Sequence, residues 1–163
     1  MHRRRRHGPM RTALLPCVVV LAGLAQAADA AIAPGAALYA ANCSMCHQAE
    51  GVGQAGQYPR LKGRIDRIAA TPAGRHYLAD VLAYGLGIHI VADGASYTGI
   101  MPPIRQLSDA DAASVLSWLS GLGDSRPPPV ISAAEVASVR GRRLSISDVE
   151  KERTALAATR PLP

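Results

Sequence analysis

Apolar residues recur at helical spacing in two stretches of the chain. The first follows Thr71 and Pro72, which suit a helix cap and a first turn, and it ends at Gly85. Its apolar positions are Tyr77, Leu78, Val81, Leu82 and Tyr84. The second begins at Ser108, where Asp111 completes a capping signature. Its apolar positions are Ala112, Val115, Leu116, Leu119 and Leu122. Both stretches predict helices that bury one face.

Shorter elements are predicted around these two helices. A first helix covers residues 35–42, with Pro34 near its start, and a short helix covers residues 64–69. Between them, residues 50–63 contain four glycines and Pro59, which predicts a loop rather than regular structure. Residues 88–97 predict a small hairpin that turns at Asp93 and Gly94. The chain is therefore predominantly helical.

The composition changes after Gly123. Residues 124–131 include three consecutive prolines and predict a stiff, extended linker. Beyond it, Ser132 with Glu135 and Ser147 with Glu150 are capping signatures for helices over residues 132–140 and 147–159. The apolar faces of these helices are thin, so the tail, residues 132–163, is expected to pack back, to dock on a partner or to stay partly disordered. A basic run within it, Arg140, Arg142 and Arg143, favours a solvated charge cluster over a docking patch.

The N-terminus is typical of an export signal. An arginine-rich start precedes an apolar run over residues 12–24 and a series of small residues over 25–30. Cleavage is expected after Ala27 or Ala30, which makes residues 1–30 a signal peptide and residues 31–123 the main domain. The alternative is an uncleaved membrane anchor, because the run over residues 12–28 lies at the lower edge of the roughly 17 to 25 residues that span a bilayer.

Removal of this segment changes the charge of the protein. The full sequence of 163 residues has a formal net charge of +6. Five of its 18 Lys and Arg residues lie within the first eleven positions, so the mature chain carries 13 basic residues against 12 or 11 acidic ones. A nearly neutral protein gives no electrostatic support for a nucleic-acid partner.

The cysteines carry the clearest chemical signal. Cys17 lies in the apolar run and is expected to be discarded with the signal, which leaves Cys43 and Cys46. Together with His47 they form C-x-x-C-H, the pattern of covalent haem attachment. In a helical turn both cysteines face one side, so both can form thioethers with the haem, and His47 becomes the proximal ligand. A disulfide leaves His47 unexplained, a thioredoxin-like pair would need a βαβ neighbourhood, and a structural zinc site would need a second ligand pair, so these alternatives explain the pattern less well.

A six-coordinate iron needs a second axial ligand, and the mature chain offers four candidates. Met45 lies within the attachment loop and cannot reach around the ring. Of Met101, His76 and His89, Met101 is favoured because two prolines follow it and stiffen an extended loop. His89 in the hairpin remains an alternative ligand.

The sequence resembles the class I cytochrome c family. The matching residues are Cys43, Cys46, His47, Pro59, Tyr97, Met101 and Pro102. The resemblance implies an all-α fold in which helices wrap around one covalently bound haem c. It assigns the distal iron ligand to Met101 and a hydrogen bond from His47 to the Pro59 carbonyl. In that fold the first helix and the helix after Ser108 cross, and Gly35 and Ala37 are small enough to allow close approach.

Two further residues are candidates for contact with the haem. Tyr97 belongs to the segment that delivers Met101, and Arg60 is the candidate contact for a haem propionate. The expected function is one-electron transfer in the periplasm by an electron carrier that is not itself an enzyme. Its redox protein partners are expected to dock transiently. One alternative is an electron-accepting subunit of a periplasmic dehydrogenase. A haem peroxidase or gas sensor is less favoured, because Met101 would occupy the coordination position that a substrate or gas needs.

Overall fold

The computed structural model describes residues 34–87 and 89–163. The predicted signal peptide, Cys17 and both cleavage sites lie outside these residues. The first helix, α1, is described over residues 34–42. The elements that follow are α2 (Ser44–His47), α3 (Ile65–Ile68), α4 (Pro72–Tyr84), β1 (His89–Ala92), β2 (Ala95–Thr98), α5 (Asp109–Gly121), α6 (Ala133–Arg140) and α7 (Ile146–Thr159). Helices dominate the described chain, as the sequence predicts.

The caps of α4 and α5 confirm the predicted boundaries. Thr71 accepts a hydrogen bond from the Gly74 backbone N–H at 3.1 Å. Gly85 ends α4 with φ of 86°, a left-handed conformation that favours glycine. Ser108 accepts from the backbone N–H of Asp111 at 3.1 Å and so caps α5. Short-range hydrogen bonding therefore fixes both ends of α4 and the start of α5.

Helices α1 and α5 cross in close contact. A Cβ atom added at Gly35 would lie 2.3 Å from the Ser114 carbonyl oxygen and 2.7 Å from the Cβ of Trp118, so only glycine fits. Tyr39, 1% exposed, packs on Trp118 with ring centroids 4.8 Å apart. The expected role of Gly35 is confirmed. Ala37 is exposed, so the same expectation for Ala37 is wrong.

The hairpin lies between α4 and the segment that contains Met101. Its strands β1 and β2 are antiparallel, with His89 opposite Thr98 and Ala92 opposite Ala95. The turn falls at Asp93 and Gly94, both with positive φ, as predicted. Because only two strands pair, the hairpin does not change the all-α class.

The C-terminal tail packs back on the main body. Helix α6 contacts α4 and α5, and α7 contacts α4. Val136, Val139 and Val149 are 1%, 1% and 0% exposed, so each helix buries a narrow apolar stripe. The segment before α6 is attached as well, since Ile131 is 3% exposed and its N–H donates to Ser117 at 2.9 Å.

One predicted cap in the tail is wrong. The capping box of α7 is formed by Ser145 and Asp148, two residues before the predicted pair Ser147 and Glu150. The box of α6, formed by Ser132 and Glu135, is confirmed. The sequence contains two overlapping signatures at α7, and packing of Ile146 close to Gly87 favours the earlier start.

The basic run of the tail is not a uniform solvated cluster. Arg140 forms an ion pair with Asp109, and Arg142 pairs with Asp80 and Glu152. Arg143 alone of the three extends from the surface without an ion pair within the described ranges. Two of the three arginines therefore hold the tail to the main body.

A membrane-spanning helix is not found within residues 34–87 and 89–163, because none of the helices there is both long and apolar enough.

Candidate functional site

The site begins where α1 runs into α2. Cys43 N–H donates to the Tyr39 carbonyl at 2.8 Å, and His47 N–H donates to the Cys43 carbonyl at 2.9 Å. These helical hydrogen bonds place Cys43 and Cys46 on one side of the turn. Both are free cysteines. Burial, and secondarily the neighbouring Cys46, raises the pKa of the Cys43 thiol to about 11. A thioredoxin-like pair needs a lowered thiol pKa, so the site does not suit that chemistry.

His47 is held in the form that can bind a metal. It is 7% exposed, and its Nδ1 lies 2.9 Å from the Pro59 carbonyl oxygen. Because a carbonyl can only accept, Nδ1 donates the proton and Nε2 keeps a free lone pair. Burial lowers the pKa of His47, outweighing the hydrogen bond to Pro59, which acts in the opposite direction. The imidazole is therefore neutral and oriented, as a proximal ligand must be.

The loop that carries Pro59 folds back on the cysteine turn. Gly53 N–H donates to the His47 carbonyl at 2.8 Å. A Cβ at Gly53 would lie 2.6 Å from the Arg60 backbone nitrogen, and its φ is +70°, so both space and conformation require glycine here. Gln54 and Tyr58 exchange two backbone hydrogen bonds of 2.8 Å directly before Pro59. The position of the Pro59 carbonyl is thus fixed by local structure.

Met101 is fixed by the end of α4. Its N–H donates to the Leu86 carbonyl at 2.7 Å, and its own carbonyl accepts from Leu86 N–H at 3.0 Å. Gly85 allows this approach, because a Cβ there would lie 2.6 Å from the Met101 carbonyl oxygen. Three residues later, Ile104 N–H donates to the Leu82 carbonyl at 2.7 Å. A stiff segment, paired at both ends, therefore presents Met101.

One cavity of about 400 Å³ is lined by five of the seven predicted site residues, and Cys43 and Arg60 are not among its lining residues. Its walls combine the histidine, the methionine and apolar or aromatic side chains. They include Cys46, His47, Pro59, Leu86, Tyr97 and Met101. The cavity is mainly apolar, and its walls include a histidine nitrogen and a thioether sulfur that can bind iron. This combination fits a haem whose iron would be ligated by His47 and Met101.

The other ligand candidates lie elsewhere. Met45 is 88% exposed, which agrees with its exclusion. His89 is exposed and lines a different cavity, between the hairpin and α7. In the described ranges, no three His, Cys, Asp or Glu residues are grouped so as to hold a metal ion. The zinc alternative therefore has no support there.

Arg60 is not among the residues that line this cavity. Its Nε and Nη2 donate to Asp93 at 3.2 and 3.0 Å, so the side chain ties the Pro59 loop to the hairpin turn. The propionate contact stays a prediction, and the cavity lining does not support it.

Sequence reasoning missed Arg64. This side chain is 3% exposed, and its Nη1 donates to the Arg60 carbonyl at 2.6 Å. Its Nε and Nη2 donate to the Pro163 carbonyl at 3.0 and 2.6 Å. Arg64 thereby connects the loop that orients His47 to the end of the tail. No local signal reveals this role, because the partner lies 99 positions away along the chain.

Comparisons with known proteins agree with this chemistry. Residues 30–119 match the family described as "Cytochrome C oxidase, cbb3-type, subunit III". A cytochrome c-552 of Thermus thermophilus is 37% identical over 146 residues, covering 87% of this chain and 95% of that protein. A second Thermus thermophilus cytochrome c-552 is 38% identical over 128 residues, covering 76% of this chain and 97% of the relative. The cytochrome c subunit of the Gluconobacter oxydans quinone alcohol dehydrogenase is 31% identical over 107 residues, covering 65% of this chain and 22% of that subunit.

Proposed function

Because the chain belongs to the cytochrome c family, we propose that it is a periplasmic electron carrier whose haem iron is ligated by His47 and Met101. Its cofactor is covalently bound haem c, and the protein is an electron carrier rather than a catalytic enzyme. Bound haem c supplies one-electron exchange between the ferric and ferrous states. The residues of the chain supply attachment, ligation and a closed environment.

The observation that carries the proposal is the shared cavity of His47 and Met101. Hydrogen bonds hold each proposed ligand in place. The His47 side chain is held by the Pro59 carbonyl, and the Met101 backbone is held by that of Leu86. Ligation of the iron by both His47 and Met101 would leave substrate no open coordination site, which disfavours a peroxidase or a gas sensor. The thioether sulfur favours the ferrous state relative to a second nitrogen ligand, so a comparatively high reduction potential is expected.

Export to the periplasm is part of the same proposal. Support comes from the arginine-rich start, the apolar run and the two Ala-x-Ala sites in the sequence. The uncleaved anchor remains its alternative. Intact mass distinguishes the two, because cleavage after Ala27 or Ala30 removes the basic residues of the N-terminus.

A second candidate function is that of a fixed cytochrome subunit in a dehydrogenase complex. The similarity to a cytochrome c subunit of alcohol dehydrogenase favours it. The tail gives it less support than the sequence alone suggested, because α6 and α7 pack on α4 and α5 of the same chain. A free shuttle with transient partners is therefore the preferred form.

Fractionation of the native host tests these proposals together. We expect the periplasmic fraction to contain the protein with a reduced c-type absorbance spectrum and a mass that lacks the signal. We further expect it to elute as a single chain after purification without detergent. Recovery in the membrane fraction would contradict the export proposal, and co-purification with a stoichiometric dehydrogenase would favour the subunit.

A further inference from the structure

A second cavity, of about 460 Å³, lies apart from the haem cavity. We call it the arginine pocket. It is lined by Ala83, Tyr84, Arg105, Arg140, Arg143 and Leu144. Three of these six residues are arginines, and none is acidic. The redox chemistry proposed above uses none of them.

Arg140 forms a rigid wall of the arginine pocket. Its Nε pairs with Asp109, and its Nη2 donates to the Leu107 carbonyl at 2.5 Å. The side chain is 30% exposed, so the guanidinium is partly buried and held from two sides. Because Asp109 balances its charge, Arg140 shapes the pocket without supplying the excess positive charge.

Tyr84 holds the turn that carries Arg143. Its hydroxyl lies 2.7 Å from the carbonyls of Val139 and Arg140, to which it can donate, and it accepts from Arg143 N–H at 3.1 Å. Arg143 has φ of +53°, a left-handed conformation that costs free energy in a residue other than glycine. Such strain persists only where surrounding contacts impose it. The turn is thus built in advance and does not need a ligand to form.

The excess charge comes from Arg105 and Arg143. Within residues 34–87 and 89–163, neither guanidinium has a hydrogen-bond or ion-pair partner. Both line the same pocket, so two uncompensated positive charges face one space. Arg142 lies between Arg140 and Arg143 in the sequence, but it forms ion pairs with Asp80 and Glu152 and does not line the pocket.

We propose that the arginine pocket binds a phosphate-class dianion. Two free guanidiniums match its two negative charges, and the planar fork of arginine donates to phosphate oxygens in pairs. Tyr84 and the apolar side chains of Ala83 and Leu144 form the remaining walls. The ligand is free phosphate or the phosphomonoester headgroup of a lipid, since both present a dianionic phosphate. This proposal does not depend on haem ligation.

Titration of the haem-loaded protein with inorganic phosphate tests the proposal. At constant ionic strength set with chloride, we expect one phosphate to bind per chain by calorimetry. The double variant Arg105→Gln/Arg143→Gln is expected to weaken binding by about a hundredfold or more, since two charged hydrogen-bonding groups are lost and each contributes about a factor of ten or more. An unchanged haem spectrum and unfolding midpoint would show that the variant is folded.

The matched control is Arg126→Gln/Arg160→Gln. It also removes two exposed positive charges, but both arginines lie outside the pocket and donate only to backbone carbonyls. Retained affinity in this control, with loss in the pocket variant, would support a specific site. Equal affinity in the wild type and the pocket variant, or no phosphate binding beyond that of chloride, would overturn the proposal.

Vesicles identify the source of the phosphate. Co-sedimentation with phosphatidic acid vesicles that is competed by free phosphate and lost in the pocket variant would assign the site to a lipid headgroup. Calorimetric binding of free phosphate without such co-sedimentation would assign it to a soluble phosphate. Either result supports the pocket.

Discussion

At the residue scale, a short motif carries most of the chemical information. The spacing of Cys43, Cys46 and His47 is local, so the geometry of one helical turn predicts how they are arranged. The hydrogen bond from His47 to the Pro59 carbonyl, implied by the family resemblance, is present at 2.9 Å. These residues can be found from sequence because their function depends on neighbours in the chain or on a recognisable pattern.

The proposed distal ligand predicts a specific spectroscopic change. Met101→Ala should abolish the sulfur-to-iron charge-transfer band of the oxidised protein, because no other methionine of residues 34–87 and 89–163 lines the cavity. Met45→Ala is the matched control, since Met45 is 88% exposed and should leave the band unchanged. Absorbance of the ferric protein measures both variants. A band that survives in Met101→Ala would refute the ligand assignment.

Other residue roles could not be predicted because their partners are distant in the sequence. The sequence predicts a propionate contact for Arg60, but it does not reveal the ion pair of Arg60 with Asp93, 33 positions later. Arg64 is placed by contacts with the far end of the chain. A long charged side chain reaches many possible partners, and only the tertiary structure selects among them.

At the scale of elements, caps and turns were predicted well. Thr71, Ser108 and Ser132 cap helices as expected, and Asp93 with Gly94 turns the hairpin. Each of these features is decided by hydrogen bonds over three or four residues. The start of α7 was misplaced because two capping signatures overlap and local preference does not separate them. Packing against the main body decides between them.

The two overlapping signatures permit a paired test. Ser145→Ala should lower the free energy of unfolding by about 1 kcal/mol, because the Asp148 N–H at the start of α7 loses its acceptor. Ser147→Ala lies inside the helix on an exposed position and should change stability by less than about 0.5 kcal/mol. Chemical denaturation of both variants provides the measurement. A larger loss from Ser147→Ala than from Ser145→Ala would place the cap where the sequence first indicated it.

At the scale of the whole molecule, the attachment of the tail was the least predictable feature. Hydrophobic patterning indicated thin apolar faces, and the buried valines of α6 and α7 are indeed few. Polar contacts add to the attachment of the tail. They include the ion pair of Arg75 with Glu135 and those of Arg142 with Asp80 and Glu152. Ion pairs of this kind leave no periodic signal in the sequence. The sequence therefore does not decide whether the tail packs on the main body, docks on a partner or stays partly disordered.

The carboxylates beneath the tail predict a dependence of stability on pH. Burial, followed by the nearby Glu152 charge, raises the pKa of Asp80 to about 7, and Arg142 offsets this only in part. Since folding favours the protonated carboxyl, its contribution is fully present below about pH 4 and is lost as the pH rises to about 7.

Measurement of stability against pH isolates this effect. Between pH 4 and 7, the free energy of unfolding of the wild type should fall by about 1 to 3 kcal/mol relative to that of Asp80→Asn, which cannot ionise. Asp124→Asn, which changes an exposed carboxyl, should follow the wild type. Parallel pH profiles for the wild type and Asp80→Asn would contradict the assignment.

Mass spectrometry of a protease digest of the native protein tests covalent haem attachment. We expect the peptide containing Cys43, Cys46 and His47 to carry the mass of one haem and to retain it after acid-acetone extraction. Replacement of both cysteines with alanine should leave the haem extractable. A native peptide with two unmodified cysteines, or with a disulfide between them, would show that the haem is not attached at this site.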